Sequence, residues 1–355
     1  MPALRSASGP RVLRQAHATL GNSMDIVTQG LLGAVAAQSG GDRRDVRIAA
    51  FGGAAAAMLA DADVLIRSDT DPLLVLEYHR HFSHALAFIP IGALIASVLL
   101  WPLLRGRLTW RRIYWFALLG YATAGVLDAC TSYGTRLLWP FSDASISWSI
   151  VAVVDPLFSA ILIASLIIAW RTRNRHWARL GVVMAIAYLG FGAIQHQRAL
   201  GAAEILASQR GQAPERVLVK PTMGNVLLWR ALAISGTTAH IDAVRVSVSG
   251  DTRVYAGTTA QLVVPETWAD LPHDSHAYRE LQRFHGYSDH LLVVHPHDPN
   301  YIGDLRYAML PTGIAPLWGI ELDPSRPDEP IRFATRRELT PAMRSRFVDM
   351  LLGRD

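Results

Sequence analysis

Long apolar runs separated by short arginine-rich breaks fill the first two hundred residues, and short alternating runs fill the rest. Residues 85–101 are apolar over enough length to enter a bilayer, 113–128 follow after a basic break, and 150–170 form the clearest span. Residues 180–194 lead back across and end at Gln195-His196. Ahead of these, 25–38 and 46–59 are helical and rich in Ala and Gly, yet each is shorter than the ~20 residues of a full crossing. Small residues suit helices that pack closely. The pattern predicts an all-α membrane bundle of about six apolar helices, the first two short.

Near residue 225 the period changes from helical to alternating. Strands are expected over 225–235, 240–249, 252–255, 261–264, 290–294, 301–310 and 317–322, with helices over 275–284 and 341–352. This predicts a smaller α+β domain built on an antiparallel sheet. The expected division is a disordered extension at 1–23, a helical membrane domain at 24–200, a linker at 201–224 and an extramembrane domain at 225–355.

Composition agrees with a membrane protein: 51% of the 355 residues are hydrophobic and only 18% are charged. The net charge of +5 comes from arginines in short loops, not from one groove-sized patch, so no nucleic-acid partner is expected. If the apolar segments alternate in direction, loops 40–47, 102–112 and 171–179 share one side, and their arginines make it cytoplasmic. The C-terminal domain is then periplasmic, in a multi-pass protein.

Charged and imidazole groups gather at the opposite ends of the same segments. Asp25, Asp61, Asp63, His79, His84, Asp128, Asp155 and His196 all fall there. Ionisable groups at a membrane edge are costly and usually partnered. With one cysteine, Cys130, a metal site has to be built from His and Asp, the ligand types that zinc and similar ions accept. The candidate set is Asp61, Asp63, His79, His84 and Asp128, with Asp25 beside it. His81 is a weaker candidate, Asp155 before Pro156 reads as a helix cap, Gln29 as a packing residue, and His295-Pro296-His297 as an exposed turn. Each charge taken singly is equally well explained by water at the interface. Arg80 fits either an ion pair with an Asp or an anionic oxygen. The chain has no phosphate-cradling loop, no nucleophile elbow and no His-Glu-x-x-His helix.

Several blocks stand in one order: Met24-Asp25 with Thr28-Gln29 and Gly33, Asp61-x-Asp63, His79-Arg80-x-x-Ser83-His84, Leu127-Asp128-x-x-Thr131-Ser132-Tyr133-Gly134-Thr135, Trp139-Pro140-Phe141 and Asp155-Pro156-Leu157. They resemble the bacterial membrane-bound metal-dependent hydrolases, a family distantly similar to zinc-dependent phospholipases C and related zinc nucleases. The resemblance covers about residues 24–200, and Asp304-Leu305-Arg306-Tyr307 looks like the tail that many members carry. It implies a helical metallohydrolase of the bacterial inner membrane that holds a divalent metal, zinc above others, through Asp61, Asp63, His79, His84 and Asp128, and Asp25. One departure is Ala124, where many members have histidine.

A phosphoester in a lipid or lipid-linked substrate is the expected target, because the site lies at the membrane edge. Asp61 or Asp63 is the candidate general base, and Arg80 the group that steadies anionic charge. Two other readings stand beside this: a metal- or proton-coupled transporter, and a membrane scaffold displaying the C-terminal domain. A transporter calls for polar groups through the depth of the helices, whereas 85–100 and 157–169 hold almost none.

Overall fold

The computed structural model describes residues 23–354 apart from 69, 269 and 270, without the side chains of 23–25. All but the last residue of the expected extension therefore lies outside the described residues. The helical domain contains α1 (Ser23–Ser39), α2 (Val46–Ala60), the short α3 (Leu74–Tyr78), α4 (Ile89–Leu104), α5 (Trp110–Cys130), α6 (Pro156–Thr172) and α7 (Arg175–Gln209).

Small residues let the backbones of α1, α2 and α5 touch. A Cβ on Gly53 would lie 2.3 Å from the carbonyl oxygen of Gly33, and one on Gly120 would lie 2.2 Å from that of Gly53. This is the close approach that glycine permits between membrane helices. Helix α4 lies against α5, where Gly92 leaves room for the ring of Tyr121.

Among the described residues of this domain six helices are longer than two turns, but only four segments are long and apolar enough to cross a membrane: Val46–Leu65, Leu86–Leu104, Trp110–Cys130 and Arg175–Gln209. This corrects the expectation of six apolar helices. The second helix is not short, because a 3-10 turn at Asp61–Leu65 extends it. The stretch at 150–170, expected to be the clearest span, is cut to 17 helical residues. Asp155 is the reason: its Oδ1 accepts the backbone N–H groups of Leu157 and Phe158, capping α6 at that point.

The arginine-rich loops meet at one end. Asp42 pairs with both Arg112 and Arg175, Arg47 donates to the carbonyl of Trp170, and Arg179 donates to that of Ser39.

At 35 residues, α7 is about 50 Å long. Its later turns leave the bundle, and Ala199 and Ala203 pack on Val219, Trp229 and Val244 of the next domain. The stretch at 201–224, read as a linker, thus holds the end of this helix and the whole of strand β1 (Arg216–Pro221).

The C-terminal domain has two antiparallel sheets where one was expected. The first is β1 (Arg216–Pro221), β2 (Leu228–Ser235), β3 (Thr238–Val246) and β4 (Thr252–Gln261), and the second is β5 (Leu292–His295), β6 (Asp298–Asp304), β7 (Trp318–Glu321) and β8 (Arg332–Thr335). Both run in chain order. Helix α8 (His276–Tyr287) intervenes between β4 and β5, which divides the strands into two sets, and α9 (Pro341–Leu352) closes the chain. Leu232 and Ile241 of the first sheet share a core with Val293 and Leu305 beside the second. Leu281 and Phe284 of α8 pack on Leu292, Ile302 and Ile320, and Leu73, from the loop before α3, is buried among them.

Candidate metal centre

The site lies at the end of the bundle away from the arginines, where three stretches meet. Asp61 follows α2, His84 ends a 3-10 turn (Phe82–His84), and Asp128 occupies the last turn of α5. These three residues are 5%, 2% and 0% exposed, deep enough that unpartnered charge would be costly. Each offers a ligand atom, and the three atoms lie within 4.8 Å of one another. His84 Nε2 is 3.2 Å from Asp61 Oδ1 and 3.1 Å from Asp128 Oδ2.

Asp63 arranges this loop. Its Oδ1 lies 2.9 Å from His79 Nδ1, while its Oδ2 accepts the Arg80 backbone N–H at 3.0 Å and the Ser83 hydroxyl at 2.6 Å. The same oxygen is 3.2 Å from His84 Nδ1. Arg80 reaches its position with a φ of +61°, a left-handed conformation that a non-glycine residue adopts only when its surroundings enforce it. A carboxylate facing Nδ1 fixes that nitrogen as the N–H donor, so in the neutral ring the lone pair of His84 is on Nε2, between Asp61 and Asp128.

Gln29, read from sequence as a packing residue, belongs to the site. It is fully buried in α1, and its Nε2 donates to Asp128 Oδ1 at 2.9 Å and to Asp61 Oδ1 at 3.4 Å. The signal available in the sequence was an amide inside an Ala/Gly-rich helix, one turn after Asp25. Among the described residues, four buried atoms around the centre make no hydrogen bond of acceptable geometry: Gln29 Oε1, Asp61 Oδ2, His84 Nε2 and Asp128 Oδ2. Three are oxygens that can only accept, and the carboxylates of Asp61 and Asp128 with His84 Nε2 supply the mixed O/N chemistry that a divalent cation takes. The residues present therefore fit a metal.

Arg80 is 4% exposed and meets the same oxygen of Asp128 as His84 does, with Nε 3.2 Å from Oδ2 and Nη1 donating to the Thr131 hydroxyl at 2.9 Å. Its guanidinium carbon stands 5.1 Å from the centre of the Tyr133 ring. His79 is half-buried beside Asp63, and a second group of ligand atoms, from Asp61, Asp63 and His79, also falls within 4.8 Å. Asp61 is common to both groups.

Other sequence candidates lie elsewhere. His81 Nε2 meets Arg136, Asp155 caps α6 and accepts the Tyr188 hydroxyl at 2.7 Å, and His196 packs edge-on against Trp229. Ala124 is buried in a cluster with Ala60, Ala93 and Tyr121. Of the expected exposed turn, Pro296 and His297 are exposed, whereas His295 ends strand β5, half-buried against Tyr301. The Asp25 side chain lies outside the described residues.

Lone pairs crowded into the centre act on His84. Burial works against its charged form, but Asp128, Asp61 and Asp63 outweigh burial and hold the imidazole well above its usual range.

Residues 24–199 match the family model described as YdjM inner membrane protein. No curated protein and no solved structure matches the chain. The matched stretch carries Asp61, Asp63, His79, His84 and Asp128, and the family description names a location and no reaction. Together with the apolar helices, this match makes the chain an inner membrane protein, similar over its helical domain to the YdjM inner membrane proteins.

Proposed function

We propose that the chain is a membrane-bound metal-dependent hydrolase of phosphoesters, acting on a lipid or lipid-linked substrate. The observation that carries this reading is the meeting of Asp61, His84 and Asp128, buried and with one ligand atom from each within 4.8 Å of the others. Asp61, His84 and Asp128 would hold the ion, zinc above others, with Gln29 as a further oxygen donor. A divalent ion in this position supplies Lewis acidity toward a phosphoryl oxygen and a water nucleophile available near neutral pH.

The remaining work falls to the chain itself. Asp63, whose oxygens already serve His79, Arg80, Ser83 and His84, orients the imidazoles and is poorly placed to take a proton. Asp61, whose Oδ2 accepts no hydrogen bond among the described residues, would hold the ion through one oxygen and is the better general base through the other. Arg80, buried between Asp128, Thr131 and Tyr133, is the group to meet anionic charge on the substrate.

A lipid-linked substrate is favoured by apolar side chains standing out from the site end of the bundle. Phe141 is 88% exposed, and Leu138 and Trp148 are exposed in the same connection between α5 and α6. Such residues suit the headgroup level of a bilayer. With the arginine loops cytoplasmic, the protein is multi-pass and both the site and the sheet domain are periplasmic.

The test is the metal content of the detergent-purified full-length protein, together with hydrolysis of bis(4-nitrophenyl) phosphate. His84→Ala and Asp128→Ala should each lose the metal and the activity. Metal retained in both variants would overturn the assignment, and metal loss without any wild-type hydrolysis would leave a binding protein in place of an enzyme.

A further inference from the structure

The C-terminal domain reaches into the loop that follows Asp128. The carbonyl oxygen of Ser132 accepts two hydrogen bonds from it, one from the Tyr307 hydroxyl at 2.5 Å and one from Lys220 Nζ at 2.9 Å. Tyr307 also stacks on Tyr133, with centroids 4.8 Å apart and planes 11° from parallel, and Trp318 packs against both rings. Ser132 and Tyr133 are the immediate neighbours of Thr131, whose hydroxyl takes the Arg80 guanidinium and itself donates to the Asp128 carbonyl at 2.7 Å. The Arg80 carbonyl in turn accepts the backbone N–H of Arg136 at 3.1 Å, closing the circuit between the two loops.

Lys220 is an unusual choice for this task. It is 8% exposed, and among the described residues no carboxylate pairs with its amine. Burial and the nearby Arg306 hold it well below the usual lysine range. An apolar side chain of similar length would fill the same space without that cost. What the lysine adds is a donor for Ser132.

We infer that Lys220 and Tyr307 are positioning residues, through which the sheet domain sets the Thr131–Tyr133 segment and so the direction of Arg80 at the metal centre. The inference rests on the proposed hydrolase reading only for its catalytic consequence. The positioning itself is a statement about the loop.

The experiment uses the full-length protein in detergent, with Tyr307→Phe, which keeps the ring stack, and Lys220→Met, which keeps the bulk. Hydrogen–deuterium exchange should rise about five- to tenfold at the amides of 131–136 in each variant, the loss expected for one hydrogen bond. Strands β5 and β6 should stay as protected as in the parent. In parallel, kcat for bis(4-nitrophenyl) phosphate should fall with KM and metal content unchanged. Parent-like exchange at 131–136 in both variants, or an equal rise in β5 and β6, overturns the inference. If the parent protein does not hydrolyse the probe, the hydrolase reading fails, and exchange still decides the positioning.

Discussion

Nδ1 of His84 lies 3.2 Å from Oδ2 of Asp63, and this contact decides which ring nitrogen faces Asp61 and Asp128. A carboxylate behind a ligating imidazole fixes its tautomer and raises its basicity. Asp63→Asn keeps the shape and removes the charge, so metal affinity should drop roughly 10- to 100-fold, the usual cost of losing such a partner. Competition with a chromophoric chelator measures this. Asp61→Asn and Asp128→Asn, which alter the donor set itself, should cost more.

Metal uptake should release a proton. The carboxylates around His84 favour its charged form in the metal-free protein. A ligating imidazole has to be neutral. Affinity should therefore strengthen from about pH 6 to about pH 8, with roughly one proton displaced per ion. Calorimetry in two buffers of different ionisation enthalpy counts it, and a count of zero would exclude His84 as a ligand.

The loop carrying His79 is anchored by its neighbour Leu73, fully buried among Leu281, Phe284, Ile302 and Ile320. Arg283 of α8 grips the same loop through Asp71 and Glu77. Leu73→Ala should cost about 2–5 kcal/mol in stability of the sheet domain. Limited proteolysis should then open the 67–78 loop at lower temperature than in the parent protein.

Glycines in the bundle should divide sharply by position. Gly53→Val meets the Gly33 backbone and should abolish recovery of monodisperse protein. Gly201→Ala in α7 meets nothing within 4 Å and should stabilise by up to about 1 kcal/mol. Size-exclusion profiles and melting temperatures in one detergent compare them.

Lys220 predicts a sign for pH dependence. Its folded pKa is depressed well below the ordinary 10.5, so between the two values the unfolded chain binds the extra proton. Stability then rises with pH through that window. Lys220→Met should flatten the rise, as read from melting temperatures at a series of pH values.

Much of the helical domain was legible because hydropathy reports length directly, and because Asp61, His84 and Asp128 each end an apolar run on the same side. What hydropathy could not give was how local capping redraws boundaries. Asp155 removed the first six residues from the expected span at 150–170, while the 3-10 turn at Asp61–Leu65 lengthened a helix expected to be short. Within the site, carboxylates of one type took different tasks. Asp61 and Asp63 are two positions apart, yet Asp63 is saturated by the loop around it and Asp61 is not. Spacing alone does not separate them, since the difference comes from the left-handed turn at Arg80. The contacts of Tyr307 with Ser132 and Arg283 with Asp71 join residues 175 and 212 positions apart, and no local pattern announces pairs so distant.

Leu73 belongs by sequence to the first third of the chain and by packing to a core completed by Ile320 and Ile331. Every later helix of the bundle is synthesised before the residues that close that core. The segment leading to His79 and His84 thus gains its anchorage on the sheet domain only after the helices around the centre have been made.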